Sequence, residues 1–300
     1  MNVLKGLITS GKFSDAVLHL IRTTSTELPD DVVSALRRAH EDEAEGSTAK
    51  LILERYLENL HLAEERAAPI CQDTGMPIFY IHSKGGCTMQ KEVTTEIEQA
   101  LRMATERQYL RPNAVDPLTG ENSGDNTGRG FPPVYFYETT SDQITIDLIL
   151  KGGGSENVSA QYSLPHAELG AGRDFEGVRR VVLDAVVKAA GKGCPPGILG
   201  ISIGGDRESG YREAKKQLLR PLDDKNPDAL LGELETRLYR DVNELGIGPQ
   251  GLGGKTTVLG VKVTALHRLP ACYFVTVSYM CWAMRRRKLV IEQNGEFRVV

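Results

Sequence analysis

The sequence lacks any apolar run long enough to cross a bilayer. The longest, around Phe274 to Met284, falls well short of the roughly 20 residues that a spanning helix needs. The opening stretch MNVLKGLITSGKFSD lacks the apolar core and small-residue cleavage site of a secretory leader. A cytoplasmic protein with no membrane partner is therefore expected. Positive charge is not in surplus either: 36 Lys and Arg stand against 40 Asp and Glu, a formal charge of -4. The field that draws in nucleic acid is missing, and no nucleic-acid partner is expected. The single basic run, Arg285, Arg286 and Arg287, reads as a solvated strand end. The five cysteines include no C-x-x-C pair, which disfavours zinc ribbons and ferredoxin-type clusters. An odd number without a secretion signal argues against a disulfide framework. What remains for the thiols is packing, redox chemistry or metal.

Regular structure is legible in the spacing of apolar residues. Val32, Val33 and Leu36, then Leu51, Ile52, Tyr56, Leu57 and Leu60, recur at helical intervals through the first seventy residues. A strand is expected over Pro77 to His82. Val93, Ile97, Ala100, Leu101 and Ala104 then mark one face of another helix. Arg111 to Pro133, rich in Asn, Asp, Gly and Pro, reads as a long functional loop. Strands over Val134 to Tyr137 and Ile144 to Leu150 lead into Lys151-Gly-Gly-Gly-Ser-Glu-Asn157. A helix through Val178 to Ala189 is expected to stop at the glycines Gly191 and Gly193, just before Cys194-Pro195-Pro196. Further strands are expected over Ile198 to Ile203, Val258 to Leu266 and Tyr273 to Met280, with helices near Arg212 to Leu219 and Asp228 to Leu245. Strands alternating with helices predict a mixed α/β (α+β) body of small sheets flanked by helices, with Cys- and Gly-bearing loops at strand ends. One domain over residues 1–300 is expected, with room for two lobes of about 1–155 and 156–300.

Gly246-Ile-Gly248-Pro-Gln-Gly251 spells the dinucleotide fingerprint, but a helix precedes it and a strand follows, the reverse of what pyrophosphate binding requires. Cys87 and Cys272 suit the role of small buried hydrophobes. Cys71, Cys194 and Cys281 differ, because each sits at the edge of a regular element beside Gln-Asp-Thr-Gly, Pro-Pro and Trp-Ala respectively. Three distant thiolates that met in space would suit a cubane cluster with one iron left free of protein.

Cys71-Gln-Asp-Thr-Gly75, Lys151-Gly-Gly-Gly-Ser-Glu-Asn157, Gly193-Cys-Pro-Pro196, Ile203-Gly-Gly-Asp-Arg207, Gly246-Ile-Gly-Pro-Gln-Gly-Leu-Gly-Gly254 and Cys281-Trp-Ala resemble, in order, the motifs of the class I fumarate hydratase and L(+)-tartrate dehydratase family. The likeness is to its larger, cluster-binding portion. It implies a [4Fe-4S] cluster on Cys71, Cys194 and Cys281, at the convergence of strand-end loops. It also implies hydration or dehydration of a four-carbon hydroxy-dicarboxylate, fumarate/L-malate or alternatively L(+)-tartrate. A non-catalytic iron–sulfur regulatory protein is the remote alternative. Gln72, Arg111, Gly153 and Gly154 would bind substrate, and Asp73 would act in or orient the chemistry. His267 lies two positions before the place where several relatives carry an active-site histidine, and is the candidate for that role. The family's general base is a threonine on a smaller domain. That domain is expected on a separate beta subunit, making the assembly a hetero-oligomer.

Overall fold

The computed structural model describes residues 2–300. In chain order its elements are α1 (Asn2–Thr9), α2 (Lys12–Thr26), α3 (Asp30–Asp42), α4 (Thr48–Arg66), β1 (Met76–Lys84), α5 (Gln90–Glu106), β2 (Val134–Thr139), β3 (Ile144–Lys151), α6 (Gly153–Asn157), β4 (Ala160–Ser163), α7 (Phe175–Ala189), β5 (Gly197–Gly204), α8 (Arg207–Gln217), α9 (Ala229–Asn243), β6 (Val258–Leu266), β7 (Phe274–Met280), β8 (Arg286–Ile291) and β9 (Phe297–Val299). They form two compact units, each discontinuous in sequence. Unit 1 comprises Met1–Pro29, Asn59–Lys151 and Arg285–Val300, and unit 2 comprises Asp30–Glu58 and Gly152–Met284. No helix among the described residues is long and apolar enough to cross a membrane.

Unit 1 is built on a five-stranded mixed sheet of order β2-β1-β3-β8-β9. Only β1 and β2 run parallel; the other pairings are antiparallel. The expected face of α5 (Val93, Ile97, Ala100, Leu101, Ala104) is buried together with Phe13, Val17, Leu20 and Ile21 of α2 and with Phe79, Ile146, Leu148 and Leu289 from the sheet. The 3.6-residue period of the helices and the inward side chains of the strands thus meet in one core. Unit 2 has a four-stranded sheet of order β4-β7-β5-β6, in which β5 and β6 are parallel and β7 runs against both β4 and β5. Its core joins Val178, Val181, Val182, Ala185 and Val186 of α7 and Leu234, Leu238 and Val242 of α9 to Leu199, Ile201, Val261, Val263 and Val277. Asp174, Asp206 and Asp228 cap α7, α8 and α9, each accepting from backbone N–H groups of the first turn.

The mixed α/β expectation stands, with two corrections in detail. Arg285, Arg286 and Arg287 are not a solvated strand end. They lead into β8, which lies inside the sheet between β3 and β9. Arg285 is 1% exposed and Arg286 8%, the Arg285 carbonyl accepts from Leu150 N, and Arg287 Nη2 donates to the Leu28 carbonyl at 2.9 Å. The end of α7 is not set by a left-handed glycine: the residue with positive φ is Ala190, at 43°. A 3-10 turn over Ala190–Gly193 follows and ends at Cys194, itself left-handed at φ 51° and ψ 61°.

Candidate functional site

In unit 1 the turn bearing Cys71 precedes β1 and is held by polar side chains. Gly75 N donates to Asp73 Oδ1 at 3.1 Å, an Asx-type turn of the kind Asp favours. Gly75 has φ 80°, and a side chain there would meet the Leu150 and Lys151 backbone at 2.9 Å, so only glycine lets the turn lie against the end of β3. Thr74, fully buried, accepts at Oγ1 from Arg111 N (3.1 Å) and Asn113 Nδ2 (2.9 Å). Arg111 Nη1 reaches back to the Gln72 carbonyl at 3.2 Å. Behind them Asn126, 1% exposed at φ 60°, donates from Nδ2 to the Arg111 carbonyl (2.7 Å) and to Thr105 Oγ1 (2.9 Å), and accepts from Asn113 N at 2.8 Å. The long loop over 111–133 and the Cys71 turn are therefore one hydrogen-bonded body. Cys71, Gln72, Asp73 and Arg111 are gathered there, with Gln72 and Arg111 exposed and Cys71 and Asp73 half-buried.

In unit 2 the loops bearing Cys194 and Cys281 meet. Trp282 N donates to the Cys194 carbonyl at 3.2 Å, and Cys281 N donates to Oγ of the buried Ser155 at 3.1 Å. Ser155 belongs to α6, a five-residue helix that opens with Gly153 and Gly154, so the Lys151-Gly-Gly-Gly-Ser-Glu-Asn157 motif reaches the Cys281 loop through Ser155. Gly153 and Gly154 are exposed, and a Cβ on Gly154 would sit 3.5 Å from the Lys192 carbonyl, beside the turn that precedes Cys194. The ring of Tyr279 fills the space around Gly193 and Gly197, where an added Cβ on Gly193 would come within 2.5 Å of it. Burial first, and then the charges of Cys281 and Cys194, push the Tyr279 phenol well above its ordinary range and keep it protonated. Both thiols are thus electrostatic neighbours of one buried hydroxyl. All five cysteines are free and half-buried.

His267 lies elsewhere in unit 2. It is exposed in the loop after β6 and lines an open pocket with Gly205, Asp206, Ser209, Arg268 and Cys272. Gly205 and Asp206 come from the Ile203-Gly-Gly-Asp-Arg207 motif, in which Asp206 caps α8 with Oδ1 accepting from Glu208 N and Ser209 N. Among the described residues no three His, Cys, Asp or Glu side chains form a group that could hold a metal ion. The chemistry of the donors nevertheless suits an iron–sulfur group, which takes thiolates: Cys194 and Cys281 are free thiols on loops that meet in unit 2, and Cys71 is a free thiol on the polar turn of unit 1. The sequence reading missed Tyr56 and Gln250, which join the loops of unit 2. Tyr56 shares the helical apolar stripe of α4, so it reads as ordinary core. The one signal available was Trp282 beside Cys281, the only tryptophan in the chain.

Known proteins resemble this chain over most of its length. A family model described as fumarate hydratase (Fumerase) matches residues 14–290. A Geobacillus stearothermophilus protein provisionally named fumarate hydratase class I is 48% identical over 286 residues, which are 94% of this chain but 55% of that protein. The chain thus spans little more than half the length of that relative. A Methanocaldococcus jannaschii protein provisionally named L(+)-tartrate dehydratase subunit alpha is 37% identical over 279 residues, covering 92% of this chain and 96% of its own. The L(+)-tartrate dehydratase subunit alpha of Escherichia coli K12 is 33% identical over 287 residues, 95% of this chain and 93% of that subunit.

Proposed function

This chain belongs to the fumarate hydratase family, and we propose that it is the cluster-binding part of an iron–sulfur hydro-lyase acting on a four-carbon dicarboxylate, fumarate/L-malate. The observation that carries the reading is the meeting of the Cys194 and Cys281 loops against Tyr279 in unit 2. Cys71, Cys194 and Cys281 would be the three thiolate ligands of a [4Fe-4S] cluster. When bound, such a group supplies a Lewis-acidic iron for the substrate's hydroxyl, a poor leaving group otherwise.

The residues of this chain would do the rest. Arg111, exposed and tethered by one Nη to Gln72, keeps donors free for a planar carboxylate. Gln72 flanks it. Asp73, whose Oδ1 is committed to Gly75 N, would orient the turn. Gly153 and Gly154 present backbone N–H groups at the start of α6, where the helix leaves its first donors unpaired. His267, on the loop after β6, is proposed as the active-site histidine. None of these is placed as the base that removes a proton next to a carboxylate. That group would come from a beta subunit, consistent with the chain matching almost the whole of two proteins named alpha subunits. The same coverage favours the second reading, L(+)-tartrate dehydration, whereas the higher identity to the fumarate hydratase relative favours fumarate.

Anaerobic reconstitution tests the assignment. Wild-type chain should take up about four irons; Cys71→Ala, Cys194→Ala and Cys281→Ala should each abolish uptake; Cys87→Ala and Cys272→Ala should leave it intact. Equal losses from all five replacements would defeat it. Turnover of fumarate against L(+)-tartrate by the chain assembled with its beta subunit then decides the substrate.

A further inference from the structure

Two loops that carry ligands to one centre must hold them to within about 0.5 Å, and loops do this less well than helices and strands unless something outside them fixes their shape. The Cys194 loop is irregular backbone, with Cys194 left-handed and a cis bond at Pro195–Pro196. The Cys281 loop, between β7 and β8, has no regular structure. A third irregular segment, Pro249–Gly251, packs on the first: Gln250, at φ 55°, donates its N–H to the Pro195 carbonyl at 2.9 Å. A Cβ on Gly251 would come within 2.6 Å of Gly191 Cα.

One side chain touches all three segments. The ring of Tyr56, 8% exposed on α4, stacks on Trp282 with centroids 3.9 Å apart and planes 8° from parallel. Its hydroxyl donates to the Pro195 carbonyl at 3.4 Å and accepts a hydrogen bond from Gln250 Nε2. Pro195 follows Cys194 and Trp282 follows Cys281, so the phenol grips the residue next to each thiol, while Trp282 N closes the ring of contacts on the Cys194 carbonyl. A residue needed only to fill the core would not require both faces of this chemistry. The stack orients the Cys281 loop, and the hydroxyl, through Gln250, orients the Cys194 loop.

We infer that Tyr56 is a positioning residue that sets the separation and orientation of the Cys194 and Cys281 thiols, acting through Trp282 and Gln250. The inference rests on the proposed cluster-binding role of these thiols. It goes beyond that role in naming a group, remote in sequence, that makes the pair competent.

The test uses the full chain, reconstituted without oxygen with ferrous iron and sulfide, and three readouts. These are the rate of iron loss to a chelator, the visible circular dichroism of the bound cluster, which reports the handedness of its thiolate surroundings, and the emission of Trp282, the chain's single tryptophan. Tyr56→Phe keeps the stack and loses the hydroxyl: iron should be lost several-fold faster, with Trp282 emission little changed. Tyr56→Leu loses both: iron should be lost at least about tenfold faster, with altered circular dichroism and shifted emission. A folded Tyr56→Leu chain that holds iron as long as wild type, with the same spectrum, overturns the inference and leaves the cluster assignment standing. Wild-type chain that takes up no iron overturns both. Should Tyr56→Leu fail to fold, Gln250→Leu, which removes only the side-chain tie to the hydroxyl, replaces it. Faster iron loss supports the inference and an unchanged rate overturns it.

Discussion

The turn that carries Cys71 in unit 1 and the paired loops that carry Cys194 and Cys281 in unit 2 hold their thiols by opposite means. The first is a polar cradle: Asp73, Thr74, Arg111, Asn113 and Asn126 share the hydrogen bonds that shape it, and its central groups, Thr74 and Asn126, are buried. The second is a clamp of rings and glycines: Tyr56 on Trp282, Tyr279 against Gly193 and Gly197, Gly191 against Gly251. A cradle of hydrogen bonds is directional, and removing one member leaves its buried partners unsatisfied. A clamp of close contacts is set by shape, and adding a single methyl group jams it. The two regions should therefore fail under different substitutions, each exposing its own cysteine.

The largest effect is expected on the clamp. Gly197→Ala drives a Cβ into the Tyr279 ring, with the phenol oxygen 2.5 Å away. Tyr279 is 2% exposed and has no room to retreat. Overpacking of this kind costs about 3 kcal/mol or more, readable in the denaturant midpoint. Under native conditions Cys194 and Cys281 should be alkylated faster than in wild type, while Cys71 keeps its wild-type rate. Uniform acceleration at all three thiols would show that the clamp is not a local device.

Asn126→Ala breaks the other side. It leaves the Arg111 carbonyl, Thr105 Oγ1 and Asn113 N without the Asn126 side chain and places alanine at φ 60°, a conformation Asn tolerates better. About 2 kcal/mol should be lost, with the reactivity pattern reversed: Cys71 faster, Cys194 and Cys281 unchanged. If Cys71 keeps its wild-type rate, the cradle does not govern it.

The same contrast explains what could be read from sequence. The cradle is largely local: Asp73 and Gly75 lie within four residues of Cys71, and the Asn- and Gly-rich loop over 111–133 announces itself by composition. The apolar face of α5 and the strands β3, β5, β6 and β7 were likewise visible, because their periodicity is carried by consecutive residues. The clamp is non-local. Tyr56 and Gln250 are 194 positions apart, and nothing near Gly193 or Gly197 says that a tyrosine from β7 will fill the space above them. Strands β4, β8 and β9 escaped notice for related reasons. β4 is four residues long with one buried side chain, and β8 opens on arginines whose burial depends on pairing with β3. The short helix α6 was hidden by its glycines. That each unit is assembled from separate segments depends on contacts between residues far apart in the chain, which periodicity does not report.

The smallest expected effect concerns pH, and it sharpens the difference between the units. In unit 1, burial raises the Asp147 carboxyl above its ordinary range, opposed by Lys288, His82 and Arg286. In unit 2, burial of Asp241 is outweighed by hydrogen bonds from Arg179 and Arg240, at 2.5 and 2.9 Å, which hold it below that range. The signs are opposite. The raised carboxyl binds its proton more tightly in the folded state, so the stability it contributes is full below the unfolded value of about 3.9 and is lost as pH rises through the folded one. The depressed carboxyl contributes stability that is present above about pH 3.9 and is lost as pH falls through its own folded value. Between neutral pH and about pH 3, amide exchange followed separately in β3 and α9, and corrected for the intrinsic pH dependence of exchange, should show α9 losing protection on acidification while β3 holds or gains it. Asp147→Asn should flatten the response of β3, and Asp241→Asn that of α9, each leaving the other element unchanged. Parallel loss of protection in both elements would mean that the two carboxylates are linked through a single cooperative unfolding, and the difference between the units would then lie in packing alone.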